Sequence, residues 1–407
     1  MNKRIIAVFT GNRAEYGLQY PILAAIRAHP ALEYRLIVSG AHLDPDFGRT
    51  VEEICRDGFT VHAEVAIDMP TDAPDATATA IGSGVLSMSR ALRELAPDFL
   101  VVYADRFEGF AALIAGTQMN IPTAHIEGGD LTEGGALDDS VRHAMTKLAH
   151  LHFTTNQQAS NRILAMGEEP WRVTTVGFPA IDLIAAGAFA SATEVDRRLA
   201  LDPERPIVLF TQHSVTTEFE EAAAQVLPSL DAMHRLAAGG AQVVLTYPNN
   251  DAGGRRIMAL LREIADNPPD NIQVHRSLGR YLYHGVLALA RDPARRVVCA
   301  GNSSSGIKET PAFGCPTVDV GSRQKGRLRA ENVVNVGYDA DAIEAAVLRC
   351  INDDAFRSLC RAVTNPYGMG DAGVKVADRL ATVPLDRHRL LRKGMTLRGE
   401  HQNGWFR

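Results

Sequence analysis

Short apolar runs alternate with longer amphipathic segments along almost the whole chain, and no other feature restricts its possible folds as much. Residues 5–10, 34–39, 60–65, 99–103, 121–126, 151–155 and 173–176 read as strands. Runs at 207–211, 242–246, 272–275, 296–300, 316–320 and 333–336 repeat the pattern. Strands of this kind separated by helical patterns predict an α/β fold with parallel, doubly wound sheets. A chain of 407 residues with 46% hydrophobic content can bury two cores. The alanine-rich piece 185–192 and the turn from Asp202-Pro203 to Pro206 read as the connection. The expected domains are therefore 1–185 and 186–370, followed by a helix and basic tail over 371–407.

Polar chemistry gathers where the runs end, which is where open parallel sheets hold their ligands. The run 121–126 delivers His125 and Glu127 to a turn containing Gly128, Gly129, Gly134 and Gly135. A helix follows, with Asp138 or Asp139 as its N-cap and Val141, Met145 and Leu148 on one face, which directs Arg142 and His143 elsewhere. These residues suit an active site; the aspartates also suit simple capping and the histidines a solvated face. Asp105-Arg106 follows the run 99–103, and Gly11-Asn12-Arg13 follows the first run, where Arg13 suits a phosphate or plain solvent. In the second half, Tyr247-Pro248-Asn249-Asn250-Asp251 closes one run and Gly301-Asn302-Ser303-Ser304-Ser305-Gly306 another. The serines open a helix and offer hydroxyls and amides to a diphosphate, and Glu309, one turn in, suits a ribose diol. Arg323, Lys325 and Arg327 close the next run.

Composition narrows the partners. A net charge of −6 and a pI near 6.1 exclude an overall pull towards nucleic acid or anionic lipid, and no apolar segment is long enough to span a bilayer. Five cysteines without a CxxC pair suggest reduced thiols and the cytoplasm. His125, His143, His150 and His152 invite a metal, but HExxH and Cys/His quartets are absent, so none is expected. Asp44-Pro45-Asp46 and Asp339-Ala340-Asp341 resemble acidic metal triplets but sit at helix starts, where aspartate caps. There is no GxSxG elbow and no GxGxxG fingerprint. The tail from Arg387 to Arg407 reads as a solvated or partner-covered strip.

Eight ordered motifs carry a resemblance. They are Asn12-Arg13-Ala14-Glu15-Tyr16, Asp105-Arg106-Phe107-Glu108, His125-Ile126-Glu127-Gly128-Gly129 and Asp138-Asp139-Ser140-Val141-Arg142-His143 in the first half. The second half adds Gln212-His213-Ser214-Val215-Thr216, Pro248-Asn249-Asn250-Asp251-Ala252-Gly253, Gly301-Asn302-Ser303-Ser304-Ser305-Gly306 and Gly321-Ser322-Arg323-Gln324-Lys325-Gly326-Arg327. Together they resemble the hydrolysing UDP-N-acetylglucosamine 2-epimerases, from about residue 5 to 380.

The resemblance implies two Rossmann-like domains facing a cleft, as in B-type glycosyltransferases, with the C-terminal helices crossing back to the first domain. It implies elimination of UDP followed by hydration of a glycal, with neither metal nor other cofactor, in a homodimer or homotetramer. Asp105, Glu127 and Asp138 match the family's acid/base carboxylates, and His213 a catalytic histidine beside the diphosphate. Arg13, Arg106, Asn249, Ser303, Ser304, Glu309 and Arg323 match nucleotide-contacting positions, and Asp139, Arg142 and His143 are expected to bind substrate. Gly128-Gly129 and Asp138-Asp139 stand where the non-hydrolysing branch has Ala-Gly and Pro-Glu-Glu. Ala104 departs from the usual glycine, and the interval Leu131–Gly135 resembles the bacterial sialic and legionaminic acid type. The sugar could be N-acetylglucosamine or a 2,4-diacetamido-6-deoxy relative. A retaining UDP-sugar transferase, a non-hydrolysing epimerase and a sugar-nucleotide sensor are the rival readings.

Overall fold

The computed structural model describes residues 3–44, 49–67, 75–131, 137–249 and 251–396, and the backbone of 401–402 and 405–406. Pro45, Asp46, Gly134, Gly135 and Asn250 lie outside the described residues. The chain divides into two compact units, one of residues 1–130, 137–182 and 368–407, the other of 131–136 and 183–367.

The first unit opens with β1 (Arg4–Thr10), α1 (Arg13–Ala28), β2 (Leu32–Ser39), α2 (Val51–Arg56), β3 (Val61–Val65) and α3 (Ala76–Leu95). It continues through β4 (Phe99–Tyr103), α4 (Phe107–Gln118), β5 (Thr123–Ile126), α5 (Leu137–Leu148), β6 (Leu151–Thr154), α6 (Gln157–Ala165) and β7 (Val173–Thr175). Among the described residues its sheet has the order β3-β2-β1-β4-β5-β6-β7, every pair parallel. Successive side chains point to opposite faces of a strand, and here both faces are covered. Ile6, Val8, Val101 and Phe153 pack with Ile22 and Ile26 of α1, whereas Ala7, Phe9, Leu100 and Val102 pack with Met88 of α3 and Leu113 of α4. That double covering is why the central strands β1 and β4 are almost continuously apolar, whereas β2, β3 and β7 carry polar residues.

The second unit begins with α7 (Ala180–Ala185, which straddles the boundary), α8 (Ala192–Leu199), β8 (Ile207–Thr211), α9 (Ala222–Ala238), β9 (Gln242–Thr246), α10 (Gly254–Asp266) and β10 (Ile272–His275). Then come α11 (Gly279–Ala288), β11 (Val297–Gly301), α12 (Ser305–Lys308), α13 (Thr310–Phe313), β12 (Thr317–Val320), β13 (Val333–Val336), α14 (Ala340–Asn352) and α15 (Asp354–Ala362). Its parallel sheet runs β10-β9-β8-β11-β12-β13. In both sheets the strand order reverses beside the first strand, between β1 and β4 and between β8 and β11. Such a reversal leaves a crevice at the strands' carboxyl ends.

The last segment belongs to the first unit. In α16 (Ala372–Thr382), Val376 and Leu380 are fully buried, worth about 2 kcal/mol each. Gly373 lies so close to α1 that a Cβ would meet the Pro21 carbonyl at 2.5 Å, and Asp182 accepts the Ala372 and Gly373 amides at 3.0 and 2.7 Å. After α17 (Arg387–Leu391) the described part of the tail, which ends at Thr396, exposes Arg387, Arg389 and Arg392, as a solvated strip would, but is anchored at Lys393. Lys393 Nζ donates to the carbonyls of Thr146, Lys147 and Ala149 at the end of α5 and lies 2.9 Å from the buried Glu168 carboxylate. Buried Arg172 donates to the carbonyls of His150, Arg389, Leu390 and Arg392. These side chains satisfy carbonyls that a helix end and an irregular segment would otherwise bury unpaired. Burial opposes the charge of Glu168, but His152, Lys147 and Lys393 outweigh it and hold that carboxyl at about 2.

Candidate active site

In the first unit, the chain turns sharply where β4 and β5 end. Ala104 (φ 54°) and Glu127 (φ 64°) both occupy the left-handed region, which costs a non-glycine residue on the order of 1–2 kcal/mol. Both turns are pinned: Ala104 N–H donates to Ile126 O and Glu127 N–H to Phe153 O, each at 2.9 Å. His125 fastens the first turn from beneath. Its Nε2 lies 2.6 Å from the Ala104 carbonyl, which can only accept, so Nε2 carries the hydrogen and Nδ1 accepts from the Thr146 hydroxyl at 3.2 Å. Burial drives its pKa down to about 3, so the ring is a neutral positioning group.

Arg142, on α5 and buried, gathers what the turns expose. It donates to the Asp130 carbonyl at 2.9 Å and to Asp139 Oδ1 at 3.2 Å, and forms a close ion pair with Asp105. The charges of Asp105, Glu127, Asp130 and Asp139 all act on its guanidinium. Burial raises the Asp105 carboxyl above its ordinary value in spite of Arg142, and Glu127 adds to the rise. Burial, then the charge of Glu127, likewise raises the Tyr103 hydroxyl. Water is largely excluded from Glu127, which is 8% exposed.

Helix α5 begins at Leu137, so Asp138 and Asp139 both lie in its first turn, where the helix dipole favours acids, and neither is a cap. They face differently: Asp139 is buried against Arg142, whereas Asp138 is exposed. His143 is half-buried, and burial lowers its pKa. Arg106 is half-exposed and donates to Glu108 at 3.2 Å. Arg13 is exposed and paired at 2.7 Å with Glu53 of α2, a partner the sequence did not suggest.

In the second unit the reversal point is knitted by Asn302, which follows β11. Its Oδ1 accepts the His213 amide at 2.7 Å and its Nδ2 donates to the His213 carbonyl at 2.8 Å, a reciprocal pair between the β8 and β11 exits. The preceding residue must be glycine: Gly301 has φ 114°, and a Cβ would lie 2.0 Å from the Thr211 carbonyl oxygen. His213 Nδ1 accepts the Asn249 amide at 3.0 Å, leaving the hydrogen on Nε2, and burial followed by Arg323 lowers its pKa to about 3. It is therefore a neutral donor. Arg323 and Gln324 donate to the Asn302 carbonyl at 3.2 and 2.8 Å.

The serine loop opens only a short helix. α12 has four residues and breaks at Glu309 before Pro311, so Glu309 stands at a junction and not one turn into a continuous helix. A four-residue helix offers little dipole. Ser303 and Ser304 are partly exposed beside it, and Ser305 Oγ donates to Glu309 Oε2 at 2.7 Å, with His284 Nε2 2.9 Å from the same oxygen. Burial opposes ionisation of Glu309, but His284 and Ser305 prevail and lower its pKa. The positioning roles of Asn302, His284, Thr146 and Asp130 are not evident from spacing, since each depends on a partner remote in sequence. Among the described residues no three His, Cys, Asp or Glu side chains converge as a metal site, and no helix is long and apolar enough to cross a membrane.

Two doubly wound parallel-sheet domains, each with polar groups gathered at its reversal point, define an α/β protein built like the B-type glycosyltransferases. A solved UDP-GlcNAc 2-epimerase from Neisseria meningitidis, bound to UDP-GlcNAc, superposes with a TM-score of 0.76 over 93% of this chain and 99% of that one, at 18% identity. The chain belongs to the UDP-N-acetylglucosamine 2-epimerase family, whose model matches residues 24–381. It is 32% identical over 385 residues to a UDP-N,N'-diacetylbacillosamine 2-epimerase (hydrolyzing) of Legionella pneumophila, covering 95% of this chain and 97% of that protein. It is also 34% identical over 351 residues to a UDP-N-acetylglucosamine 2-epimerase of Neisseria meningitidis, covering 84% and 87%.

Proposed function

We propose that this enzyme is a hydrolysing 2-epimerase, which converts a UDP-linked 2-acetamido sugar to the free 2-epimer and UDP. The observation that carries the chemistry is the convergence of Asp105, Glu127 and Asp139 on one buried arginine. Removing a proton from C2 needs a carboxylate in a dry site, and closely spaced carboxylates can be kept in different protonation states, so that one acts as base and another as acid.

In the first step a carboxylate takes the C2 proton, the C1–O bond to the diphosphate breaks, and a C1=C2 double bond forms as UDP leaves with the bonding pair. In the second step water adds its oxygen to C1 and gives up a proton to one carboxylate, while a protonated carboxyl delivers a proton to C2 from the opposite face. Glu127 and Asp105 are the acid/base pair, and exposed Asp138 is the α5 carboxylate open to the sugar. Asp139 and Arg142 hold the group in place, with His143 beside them as a further sugar contact. The neutral His213 donates from Nε2 to the departing diphosphate. Asn249, Ser303, Ser304 and Arg323 bind the nucleotide, Glu309 takes the ribose hydroxyls, and Arg106 and Arg13 add positive charge. The hydrolytic outcome is favoured by Gly128-Gly129 and Asp138-Asp139 and by the kinship to the Legionella enzyme. That kinship also favours a diacetamido sugar and a place in bacterial nonulosonic acid synthesis.

Incubation with UDP-N-acetylglucosamine and with a UDP-2,4-diacetamido-6-deoxy sugar in deuterated water tests this reading. Deuterium at C2 of a free sugar is expected, and Glu127→Gln should lower turnover by about a hundredfold or more. The 34% identity to the Neisseria epimerase keeps one second reading in view, a reaction that retains UDP. A UDP-linked epimer as the sole product would establish it.

A further inference from the structure

Beside the Asp105–Arg106 turn lies a second pair of carboxylates that the proposed reaction does not use. Glu15, in the first turn of α1, is 4% exposed, and Glu108, in the first turn of α4, is 2% exposed. Both crowd against the loop that leaves β1. A Cβ on Gly11 would meet Glu108 Cβ at 3.2 Å, and one on Gly40 would meet Glu108 Oε1 at 3.1 Å. Their hydrogen-bond partners differ in kind. Glu15 Oε1 accepts from two neutral donors, the Gly11 amide at 3.2 Å and Gln19 Nε2 at 2.8 Å. Glu108 Oε1 accepts from the Arg106 guanidinium at 3.2 Å. The second oxygen of each carboxyl is buried without a partner among the described residues.

Two adjacent carboxylates shielded from water cannot both ionise at little cost, and the arginine selects which one does. We propose that Glu15 and Glu108 share one proton, carried by Glu15, and that this pair positions Arg106 for the substrate. The role of Arg106 rests on the function proposed above; the sharing of the proton does not.

The surrounding charges agree. Burial first, and the charge of Glu108 second, push the Glu15 carboxyl up to about 8, with Arg106 opposing. Tyr103, on β4, is neutral, its hydroxyl raised by burial and in part by Glu15. Thr10, whose hydroxyl also acts on the Glu15 carboxyl and favours its ionised form, is held by His42 Nε2 at 3.1 Å, and burial keeps His42 neutral with a pKa of about 4. While Glu15 holds its proton, Glu108 is the single anion of the pair facing Arg106. Once Glu15 ionises, a second buried negative charge draws the guanidinium inward, and activity should fall on the alkaline side.

Two measurements test this. Carbon-13 NMR of enzyme labelled at glutamate side-chain carboxyls, titrated from pH 6 to 10, should contain one resonance that ionises near pH 8, absent from Glu15→Gln. Full ionisation of all carboxyls at pH 6 would overturn the shared proton, whatever the substrate. With UDP-N-acetylglucosamine as the probe, kcat/KM of the wild type should decline above pH 8. Glu15→Gln, which imitates the protonated acid, should keep at least half of the neutral-pH value and lose that decline, whereas Glu108→Gln should lose tenfold or more at every pH. An alkaline limb unchanged in Glu15→Gln, or wild-type kinetics in Glu108→Gln, would overturn the positioning role. Absence of turnover in the wild type would instead count against the proposed substrate and leave the NMR result to decide the proton.

Discussion

Replacing Arg142 by Met should expose how much of the first unit's stability is invested in its carboxylates. The substitution preserves much of the buried apolar stem and removes the hydrogen bonds to the Asp130 carbonyl and Asp139 together with the ion pair to Asp105. Two carboxylates are left in a site already dry enough to raise Asp105. Breaking a buried pair by deleting one partner costs about 3–5 kcal/mol, a large share of the ~5–15 kcal/mol that holds a domain folded. The stranded groups can escape by taking up protons, which gives the deficit a pH signature. The folded-state pKa of Asp105 is raised, so its folded form binds protons more tightly than the unfolded chain does. Its contribution is therefore present below the ordinary carboxylate range and is lost as pH rises through the folded value. Without the guanidinium that value climbs further. Urea unfolding of variant and wild type at pH 8 and pH 5 should give a deficit of about 3–5 kcal/mol at pH 8 that shrinks clearly at pH 5. A deficit below about 1 kcal/mol at pH 8, or one indifferent to pH, would refute the convergence of these carboxylates on Arg142.

Arg172→Met should lower stability by several kcal/mol, since four carbonyls lose one buried donor, and should speed amide exchange in residues 387–396; unchanged exchange would mean the tail is held some other way. Glu309→Gln should weaken UDP binding about tenfold by calorimetry, and an unaltered Kd would remove Glu309 from the nucleotide site. His42, His125 and His150, with pKa values of about 4, 3 and 4, are neutral when folded, whereas the unfolded chain protonates near 6.5. The stability they contribute is complete above pH 6.5 and is lost on acidification, by about 1.4 kcal/mol each at pH 5.5. Glu15, protonated when folded, has the opposite sign, so the measurement belongs in Glu15→Gln, where thermal unfolding free energy should fall between pH 7.5 and 5.5; a flat profile would show that these rings are not kept neutral.

Much of the fold is legible in the residues alone. The runs at 99–103, 207–211, 242–246, 272–275 and 333–336 coincide with β4, β8, β9, β10 and β13; β4, β8 and β9 are buried on both faces and therefore mostly apolar, whereas β10 and β13 are partly buried edge strands. Helix α6 escaped notice because its buried face is Ala159, Ser160 and Ile163, too polar and too small for a hydrophobic stripe. Residues 185–192, read as a connection, lie between α7 and α8 and contribute to both, since alanine suits a helix as readily as a linker. The anchoring of the tail is not legible because Arg387 and Lys393 donate to backbone carbonyls and Arg172 donates to carbonyls of the tail, and a carbonyl leaves no trace in sequence.

The amino-acid order by itself determined which chemistry stands at the strand exits: acids and an arginine after β4, a glutamate after β5, a histidine after β8, asparagine and serines after β11. Tertiary structure alone decided how those groups are used. It set Asp139 on Arg142, paired Arg13 with Glu53, and brought Asn302 to His213 and Glu15 to Glu108. The physical reason is that pattern and propensity are local, whereas the protonation state of a carboxyl or imidazole depends on how much water is excluded and which charges lie within a few ångströms, and both are supplied by segments far away along the chain.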